Sequence, residues 1–599
     1  MKTSDNLFAD FAPVSKEQWK AKIIEDLKGA DFDKKLVWKT DEGFAVQPFY
    51  NAEDTQSIHI NQHNPFLSTG RTWVNYGEIN VDDTSAANAR AIKMLEHGAT
   101  GLLFNITDAD AVNIGVLLKN VDAAKTEISF LLKEPSLCLL SQYFDYLKKN
   151  GTDASTIRGF LEYDILENWC VTGEAPNFSK LAEIIKSAWE YPHFRCLVIR
   201  SHAFVNAGSN ITQELAFTLN KLTDYIDQLA AFSLKPKTII DNLVLHLAIG
   251  GDYFFEIAKP GAIRALLDNI LKLYKIKNAN SRIISSNSKW SKSFYDPNVN
   301  MLRNTSEAMS AILGGCDALL SLPHDAGFQQ PSDFSTRIAL NIANILKEES
   351  YFDKVTNPAA GSYYIENITK SITEHTLVLF KEIEEKGGFI KAFGDGIIQQ
   401  KIGLIRDKKE KELASRKRVY IGSNKYPNTQ ENALLKEENK TITPTSLLSE
   451  QRATKLFDDL RSRTLAHIEQ TGFVPRVYLA CFGNPAMRKA RAIFSAEFFG
   501  TAGFNIGEHF FKDAMEAAKE SAGSEADIIV ICSSDQDYET SAAEFARLFK
   551  SLSKNKILVL AGYPETIAEA LQQAGIDCFI HIKSNAIEVL SAFQNKLLI

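Results

Sequence analysis

The sequence has no apolar run of about 18 residues, the length that a helix needs to cross a lipid bilayer. Its amino terminus, MKTSDNLFADFAPVSKEQW, carries acids and a proline where a secretory signal has a basic stretch followed by an apolar one. Hydrophobic residues at 45% and charged residues at 24% are typical of a globular protein. We therefore predict a cytoplasmic protein with no membrane association.

Recognisable metal, disulfide and nucleotide motifs are also missing. There is no CxxC pair, and the number of cysteines is odd, so neither a disulfide framework nor a zinc site is predicted. Neither a P-loop nor a GxGxxG motif occurs. The cysteines, predicted to be reduced and mostly in the core, are Cys138, Cys170, Cys196, Cys316, Cys481, Cys532 and Cys578.

Neither basic nor acidic residues are concentrated in one part of the sequence. The net charge is −7 with acids and bases interspersed, and the one dense basic run, LIRDKKEKELASRKRVY, contains acids and no interleaved aromatic residues. Such a run is typical of a solvated helix face, so we predict no nucleic-acid binding.

Residues 1–60 are predicted to form an amino-terminal arm. One helix is predicted over 16–28, with Ser15 as its N-cap and Gly29 at its end. The following segment, LVWKTDEGFAVQPFY, reads as extended and apolar enough to dock on another surface. An arm of this kind wraps either a partner or its own domain.

Between about 98 and 370, apolar strands alternate with segments that are apolar at helical spacing. About eight such alternations favour a parallel (β/α)8 barrel of the TIM type in a domain of residues 61–420, with a doubly wound sheet as the alternative. The predicted strands are 101–106, 127–132, 159–164, 196–201, 243–250, 282–287, 318–325 and, on a weaker pattern, 363–368.

Polar residues at predicted strand ends are the first candidates for chemistry, because barrel enzymes carry their active sites there. His202 and His324 are candidate general acids or bases, although a loop or capping role also explains them. The other polar residues at these ends are Asn105, Asp164, Ser201, Ser285, Asn287 and Asp325.

Residues 421–450 are predicted to form a linker, because they are rich in Asn, Thr, Pro and charged residues. A helix with the sequence DDLRSRTLAHIEQTG follows and extends this region to 473. The strands VYLACF, DIIVICSS, KILVLAG and DCFIHI then predict a flavodoxin-like doubly wound domain over 474–599. Its first strand passes through a loop at Gly483, Asn484 and Pro485 into a helix, a common ligand site in such sheets.

Several short motifs, found in order along the chain, resemble one family. They are Asp333-Phe334-Ser335 with Arg337-Ile338-Ala339 and Asn341; Asn357-Pro358-Ala359-Ala360-Gly361-Ser362-Tyr363-Tyr364; Phe254-Phe255-Glu256-Ile257-Ala258-Lys259; Gly387-Gly388; and Ile421-Gly422-x-Asn424-Lys425-Tyr426. Together they resemble the adenosylcobalamin-dependent methylmalonyl-CoA mutases, and the likeness covers nearly the whole chain. The family's order of barrel, linker and small α/β domain also agrees.

The departures from this family fall on its cobalamin motif. Relatives that bind cobalamin carry D-x-H-x-x-G in the strand-loop-helix, and those three positions here are Pro485, Met487 and Ala490. A lysine common just upstream in the family is Cys481. Neither proline nor methionine can replace a cobalt-ligating histidine and the carboxylate that orients it. The resemblance therefore implies a degenerate cobalamin-binding domain.

The barrel departs from the family in the same way. The family's Y-H-M-Q-E-A-G segment aligns so that Ala203 takes the place of the catalytic histidine, with His202 one residue away. The radical-guiding tyrosine falls at Glu78, with Tyr76 two residues off, and Ile284 replaces a second active-site histidine.

The resemblance thus implies a chain with no catalytic, cofactor-binding or metal-binding residues of its own. Such a chain would be a small subunit that pairs with a larger, catalytic mutase subunit, which would bind adenosylcobalamin. Two alternatives are a self-sufficient acyl-CoA mutase that uses His202, His324 and Tyr76, and a chaperone-like binding protein for cobalamin enzymes. The missing nucleotide-binding motif argues against the second alternative.

Overall fold

A computed structural model describes residues 14–55, 71–277, 281–431 and 447–598 of the chain. In the arm, Ser15 and Gln18 form a reciprocal capping box at the start of the first helix, which ends at Asp26, two residues before the predicted end. The arm's elements are the helices Lys16–Asp26, Phe32–Leu36 and Ala52–Thr55, and the antiparallel strands β1 (Trp38–Lys39) and β2 (Ala45–Val46).

The next strands form a nearly closed parallel barrel, which confirms the predicted (β/α)8 class. Its strands are β3 (Val74–Asn80), β4 (Gly101–Ile106), β5 (Glu127–Leu132), β6 (Gly159–Glu162), β7 (Phe194–Arg195), β8 (Leu197–Arg200), β9 (Leu243–Ile249), β10 (Arg282–Asn287) and β11 (Ala318–Leu320). Each strand pairs with its neighbour in sequence, except that β7 and β8 do not pair with each other, and β11 pairs with β3. Since one residue separates β7 from β8, these two segments act as one strand of an eight-stranded barrel.

Helices surround the barrel in the alternation that the sequence predicts. None of the helices in the described parts of the chain is both long and apolar enough to span a membrane. The helices of this domain are Thr84–Glu96, Ile114–Leu117, Leu137–Lys149, Ile165–Thr172, Phe178–Ser187, His202–Asn206, Ile211–Ala230, Pro236–Asp241, Tyr253–Leu273, Pro297–Gly314, Asp333–Glu348, Tyr363–Glu385, Gly388–Gly394 and Ile397–Ala414.

The predicted strand at 363–368 is wrong. These residues begin the helix Tyr363–Glu385, whose N-cap Ser362 accepts a hydrogen bond from the Ile365 amide. The eighth barrel strand is instead β3, at the beginning of the domain.

The barrel axis is filled by side chains. Inward-facing residues of every strand alternate with outward-facing ones that pack against the helices, as in closed barrels. Below the filled layer, the Tyr76 hydroxyl donates to Glu127 at 2.8 Å, and Arg282 pairs with the same carboxylate at 2.6 Å. The apolar side chains of the filled layer belong to Tyr76, Leu103, Phe160, Val198, Val244, Ile284, Ala318 and Leu320.

The arm packs on its own barrel, and one of its side chains caps a barrel helix that is distant in sequence. Glu42, which follows β1, is buried and accepts hydrogen bonds from the backbone amides of Ile211 (3.0 Å) and Thr212 (2.7 Å). These are the first amides of the helix Ile211–Ala230, where a carboxylate also meets the positive end of the helix dipole. The neighbouring residue Asp41 also binds the barrel domain, through ion pairs with Lys408 at 2.8 Å and with Arg418.

Replacing Glu42 by alanine is expected to lower the free energy of unfolding by about 1–2 kcal/mol, the usual cost of a lost helix cap. Urea unfolding followed by circular dichroism measures this change. Glu53→Ala, on the exposed first turn of Ala52–Thr55, is the matched control and should change stability by less than about 0.5 kcal/mol. Equal effects of the two substitutions would show that the contact with the helix does not contribute.

The carboxyl-terminal domain is a five-stranded parallel sheet in the order 2-1-3-4-5, which confirms the flavodoxin-like class. Its strands are β12 (Arg476–Cys481), β13 (Asn505–Phe510), β14 (Ile528–Cys532), β15 (Ile557–Ala561) and β16 (Cys578–Ile580). The sequence prediction missed the edge strand β13. The helices are Lys455–Thr471, Pro485–Gly500, Ala514–Gly523, Asp535–Asp537, Ala543–Leu552, Ala568–Ala574 and Ala586–Leu597, with a π-helical turn at Tyr538–Ala542.

Ion pairs connect the two domains in addition to the polypeptide linker. Glu497, on Pro485–Gly500, pairs with Arg416 at 3.0 Å and with Lys425 at 2.8 Å. Residues 421–431 and 447–450 are the described parts of the predicted linker. Just beyond it, the backbone amides of Gln451 and Ala453 donate to the carbonyls of Asn206 and Trp290 at the carboxyl end of the barrel.

Candidate functional site

Polar side chains gather inside the barrel at the carboxyl ends of its strands, above the filled layer. His246, from β9, lies at the centre: its Nδ1 is 3.0 Å from Glu162 Oε2, and its Nε2 is 2.9 Å from Ser286 Oγ. On the other side of Ser286, His202 Nε2 lies 2.7 Å from the same oxygen. The four side chains Glu162, His246, Ser286 and His202 form one chain of hydrogen bonds, here called the barrel relay.

With both imidazoles neutral, one arrangement of hydrogens satisfies the barrel relay. A carboxylate accepts, so His246 carries a hydrogen on Nδ1, and its neutral Nε2 accepts from the Ser286 hydroxyl. Ser286 has a single hydrogen, and its oxygen therefore accepts from the Nε2 hydrogen of His202. His202 Nδ1 is then an acceptor, and it is buried without a hydrogen-bond partner among the described residues.

The charges of the two ends of the relay, Glu162 and His202, follow from their surroundings. Burial alone would raise the pKa of Glu162, but His246 and Arg200 outweigh it and lower that pKa to about 2, so the carboxylate is ionised. Burial and the neighbouring His246 lower the pKa of His202 well below its usual value, so its imidazole is neutral. Arg200 also binds Glu167, with Nε 2.8 Å from Oε2.

The mouth of the barrel lies beside the relay. Glu78 and Asn105 are partly exposed there and share a hydrogen bond of 3.0 Å. Burial raises the pKa of Glu78, and the nearby Glu162 adds to that effect. The Arg200 side chain, 25% exposed, also reaches the opening.

Of the two histidines proposed from sequence, only His202 joins the relay. His324 follows β11, and its backbone carbonyl accepts from Asn300 at 3.3 Å. Ala203, the residue aligned with the family's catalytic histidine, is buried, and its amide donates to Glu167 at 2.7 Å.

Tyr76 points away from the mouth. Its hydroxyl contacts Glu127, the first residue of β5, and so faces the amino-terminal end of the barrel. Burial raises the pKa of this phenol well above its usual value.

Most other polar residues proposed at strand ends have structural partners. They are Asp164, which caps Ile165–Thr172 and binds Lys221; Ser201, bound to Glu214; Asn287, bound to Glu307; and Asp325, bound to Gln329. Ser285 lies next to Ser286 but on the opposite face of β10. Sequence reasoning missed His246, although a single polar residue at an inward position of the apolar strand LVLHLAIG was a usable signal.

The loop of the degenerate cobalamin motif is held closed by the chain itself. The carboxylate of Asp537 lies under it and accepts from the Asn484 amide at 3.1 Å and the Ser533 hydroxyl at 2.7 Å. Ser534 adds a third donor at 2.6 Å. Gly483 has φ +71°, and a Cβ there would lie 2.3 Å from the Asp537 carboxylate. Asp537 therefore occupies the crevice where sheets of this order bind ligands.

The four motif positions do not fit a cobalamin tail. Cys481 is buried in the sheet opposite Cys532, while Pro485, Met487 and Ala490 lie on the exposed side of their helix. No imidazole is among them, and Met487 offers only a weakly basic thioether. These residues supply neither the imidazole nor the carboxylate of the family's cobalamin motif.

Comparison with known proteins gives one consistent family. A family model described as methylmalonyl-CoA mutase matches residues 105–470. The methylmalonyl-CoA mutase small subunit of Porphyromonas gingivalis is 36% identical over 99% of each chain. That of Streptomyces virginiae is 28% identical over 99% of this chain and 98% of its own. The methylmalonyl-CoA mutase of Rhizobium meliloti is 28% identical over 68% of this chain and 64% of its own.

Proposed function

This chain belongs to the methylmalonyl-CoA mutase family, and from that premise we propose that it is the small, non-catalytic subunit of a heterodimeric mutase. A larger homologous subunit would bind adenosylcobalamin and substrate. The complex would interconvert succinyl-CoA and (R)-methylmalonyl-CoA in the cytoplasm. The observation that carries the proposal is the loop at Gly483, which Asp537 closes and which has no histidine.

The barrel supports the same proposal. Ile284 stands in the filled layer where the family has a histidine, and Tyr76 is directed toward the opposite end of the barrel. Bulky side chains of that layer, Phe160 among them, occupy the axis. A radical reaction needs its reactive groups placed around a bound substrate, and these residues offer neither the polar groups nor the space.

The arm supports the existence of a partner. Within the described residues, the helix Lys16–Asp26 has no buried side chain, and its contacts with the rest of the chain are at its edges. Trp19 stacks on Phe49, and Lys16 pairs with Asp54. Val14 is 71% exposed and Ile24 is 46% exposed. A helix that cannot bury an apolar face on its own domain gains stability by covering that face with another chain.

Titration with adenosylcobalamin tests this function. The purified chain is expected to leave the cofactor spectrum unchanged and to show no isomerase turnover. Co-expression with a homologous mutase chain that retains D-x-H-x-x-G should give a one-to-one complex on size-exclusion chromatography, with turnover. A His-ligated, base-off spectrum or turnover from this chain alone would refute the non-catalytic role. Separate elution of the two chains at micromolar concentration would refute the partnership.

A further inference from the structure

The barrel relay has no task in the proposed subunit function, yet it has the form of a nucleophilic site. We propose that Ser286, His246 and Glu162 form an acyl-transfer site that hydrolyses small, uncharged acyl esters and thioesters. The hydroxyl, imidazole and carboxylate follow one another at 2.9 Å and 3.0 Å, in the order of nucleophile, general base and orienting acid. This activity goes beyond the proposed function and does not depend on it.

The geometry gives each group its role. Glu162 holds the hydrogen of His246 on Nδ1, which leaves Nε2 as the base that faces Ser286. His202 donates to the Ser286 oxygen at 2.7 Å, and its ring lies edge-on to His246 with 4.7 Å between centroids. His202 is therefore a positioning residue that turns the hydroxyl hydrogen toward His246.

The chemistry needs no reactant besides the ester and water. Ser286 Oγ bonds to the acyl carbon while its proton passes to His246 Nε2. The bond from that carbon to the alcohol or thiol breaks, and the leaving group takes the proton. Water then attacks the acyl-serine and gives a proton to His246. The serine–acyl bond breaks, and Ser286 recovers that proton, so the net reaction is ester plus water to acid plus alcohol or thiol.

The burial of Ser286 and the charged groups at the mouth determine the size and the charge of the acyl group that could react. The filled layer lies below Ser286, so an ester would have to approach from the mouth, and the 3% exposure of Ser286 would restrict the reaction to short acyl chains. Around the opening lie the carboxyl groups of Glu78, Glu162, Glu167 and Glu450. Arg200 is already paired with two of them. Lys289, which also lies near His202, pairs with Glu450 at 2.8 Å. Among the described residues, the carboxylate of an acyl chain therefore meets more acids than bases there and is disfavoured.

Acetylation by p-nitrophenyl acetate tests the site in the full-length chain. Intact-mass and peptide analysis should find one acetyl group on Ser286, with p-nitrophenol released above the uncatalysed background. Ser286→Ala should abolish both signals, and Glu162→Gln should slow release by on the order of 10²–10⁴-fold. Ser285→Ala, one residue away on the outer face of β10, is the matched control and should react as the unchanged chain does. The hemisuccinate ester should react at least about tenfold more slowly, because its carboxylate meets the acidic mouth.

A fluorophosphonate probe, which labels only activated serines, gives a second measurement on the unchanged chain. It requires no variant to fold and should modify Ser286. Absence of both adducts, modification of another residue instead, or labelling of Ser286 that Glu162→Gln leaves unchanged would each overturn the proposal. Because the measurement uses this chain alone, its outcome is independent of whether a partner subunit binds cobalamin.

Discussion

Replacement of Lys259 by methionine is expected to lower the free energy of unfolding by about 3–5 kcal/mol, the usual cost of leaving a buried charge unpaired. The Lys259 ammonium is 2% exposed and lies 3.0 Å from Glu214 and 2.6 Å from Glu256. It also donates to the backbone carbonyl of Ala248, a residue of β9. Burial alone would lower the pKa of Lys259, but the two carboxylates outweigh it and raise that pKa. Methionine keeps the length of the side chain and leaves both acids without their cation.

Guanidinium chloride unfolding measures the change, and Lys237→Met is the matched control. Lys237 pairs with Asp241 one turn away on a helix surface, where both side chains are about half exposed and the pair contributes at most about 0.5 kcal/mol. Equal stability of the two methionine variants would show that the ion pairs of Lys259 with Glu214 and Glu256 do not stabilise the fold.

The largest error of the sequence prediction was the choice of the eighth strand. The segment 74–80, VNYGEIN, has polar residues on both faces, and so lacks the continuous apolar run of a strand buried on two sides. Tertiary contacts satisfy those residues: Glu78 meets Asn105 inside the barrel, and Asn75 donates to Asn344 outside it. By contrast, YYIENI is rich in strand-forming residues, and only the spacing of Ile365, Ile368 and Ile372 reveals a helix.

The candidate sites depended on contacts that no local pattern contains. The absence of a histidine at Met487 was readable from the sequence once the family was recognised. Asp537, 50 residues further along, carries no signal for its place under the loop of Gly483. The barrel relay likewise unites residues from three strands and one helix, spread along the chain from Glu162 to Ser286. Register and barrel closure, which bring these groups together, are properties of the whole chain.

The triple variant Pro485→Asp, Met487→His and Ala490→Gly restores the cobalamin motif in sequence. We expect it to show no isomerase turnover on its own. Asp537 still occupies the crevice, so the new imidazole gains no open groove, and Ile284 leaves the barrel without a polar group at the family's second histidine position. Turnover is measured by the conversion of succinyl-CoA in the presence of adenosylcobalamin.

Adding Asp537→Gly separates the two obstacles, because it removes the acceptor that holds the Asn484 amide and the hydroxyls of Ser533 and Ser534. The quadruple variant should acquire a His-ligated, base-off spectrum while its turnover stays undetectable, since the filled axis around Phe160 is unchanged. The matched control, Asp537→Gly alone, should change neither spectrum nor turnover. Binding by the triple variant would mean that Asp537 does not close the site, and turnover by either multiple variant would mean that the barrel retains the reactive positions of the family.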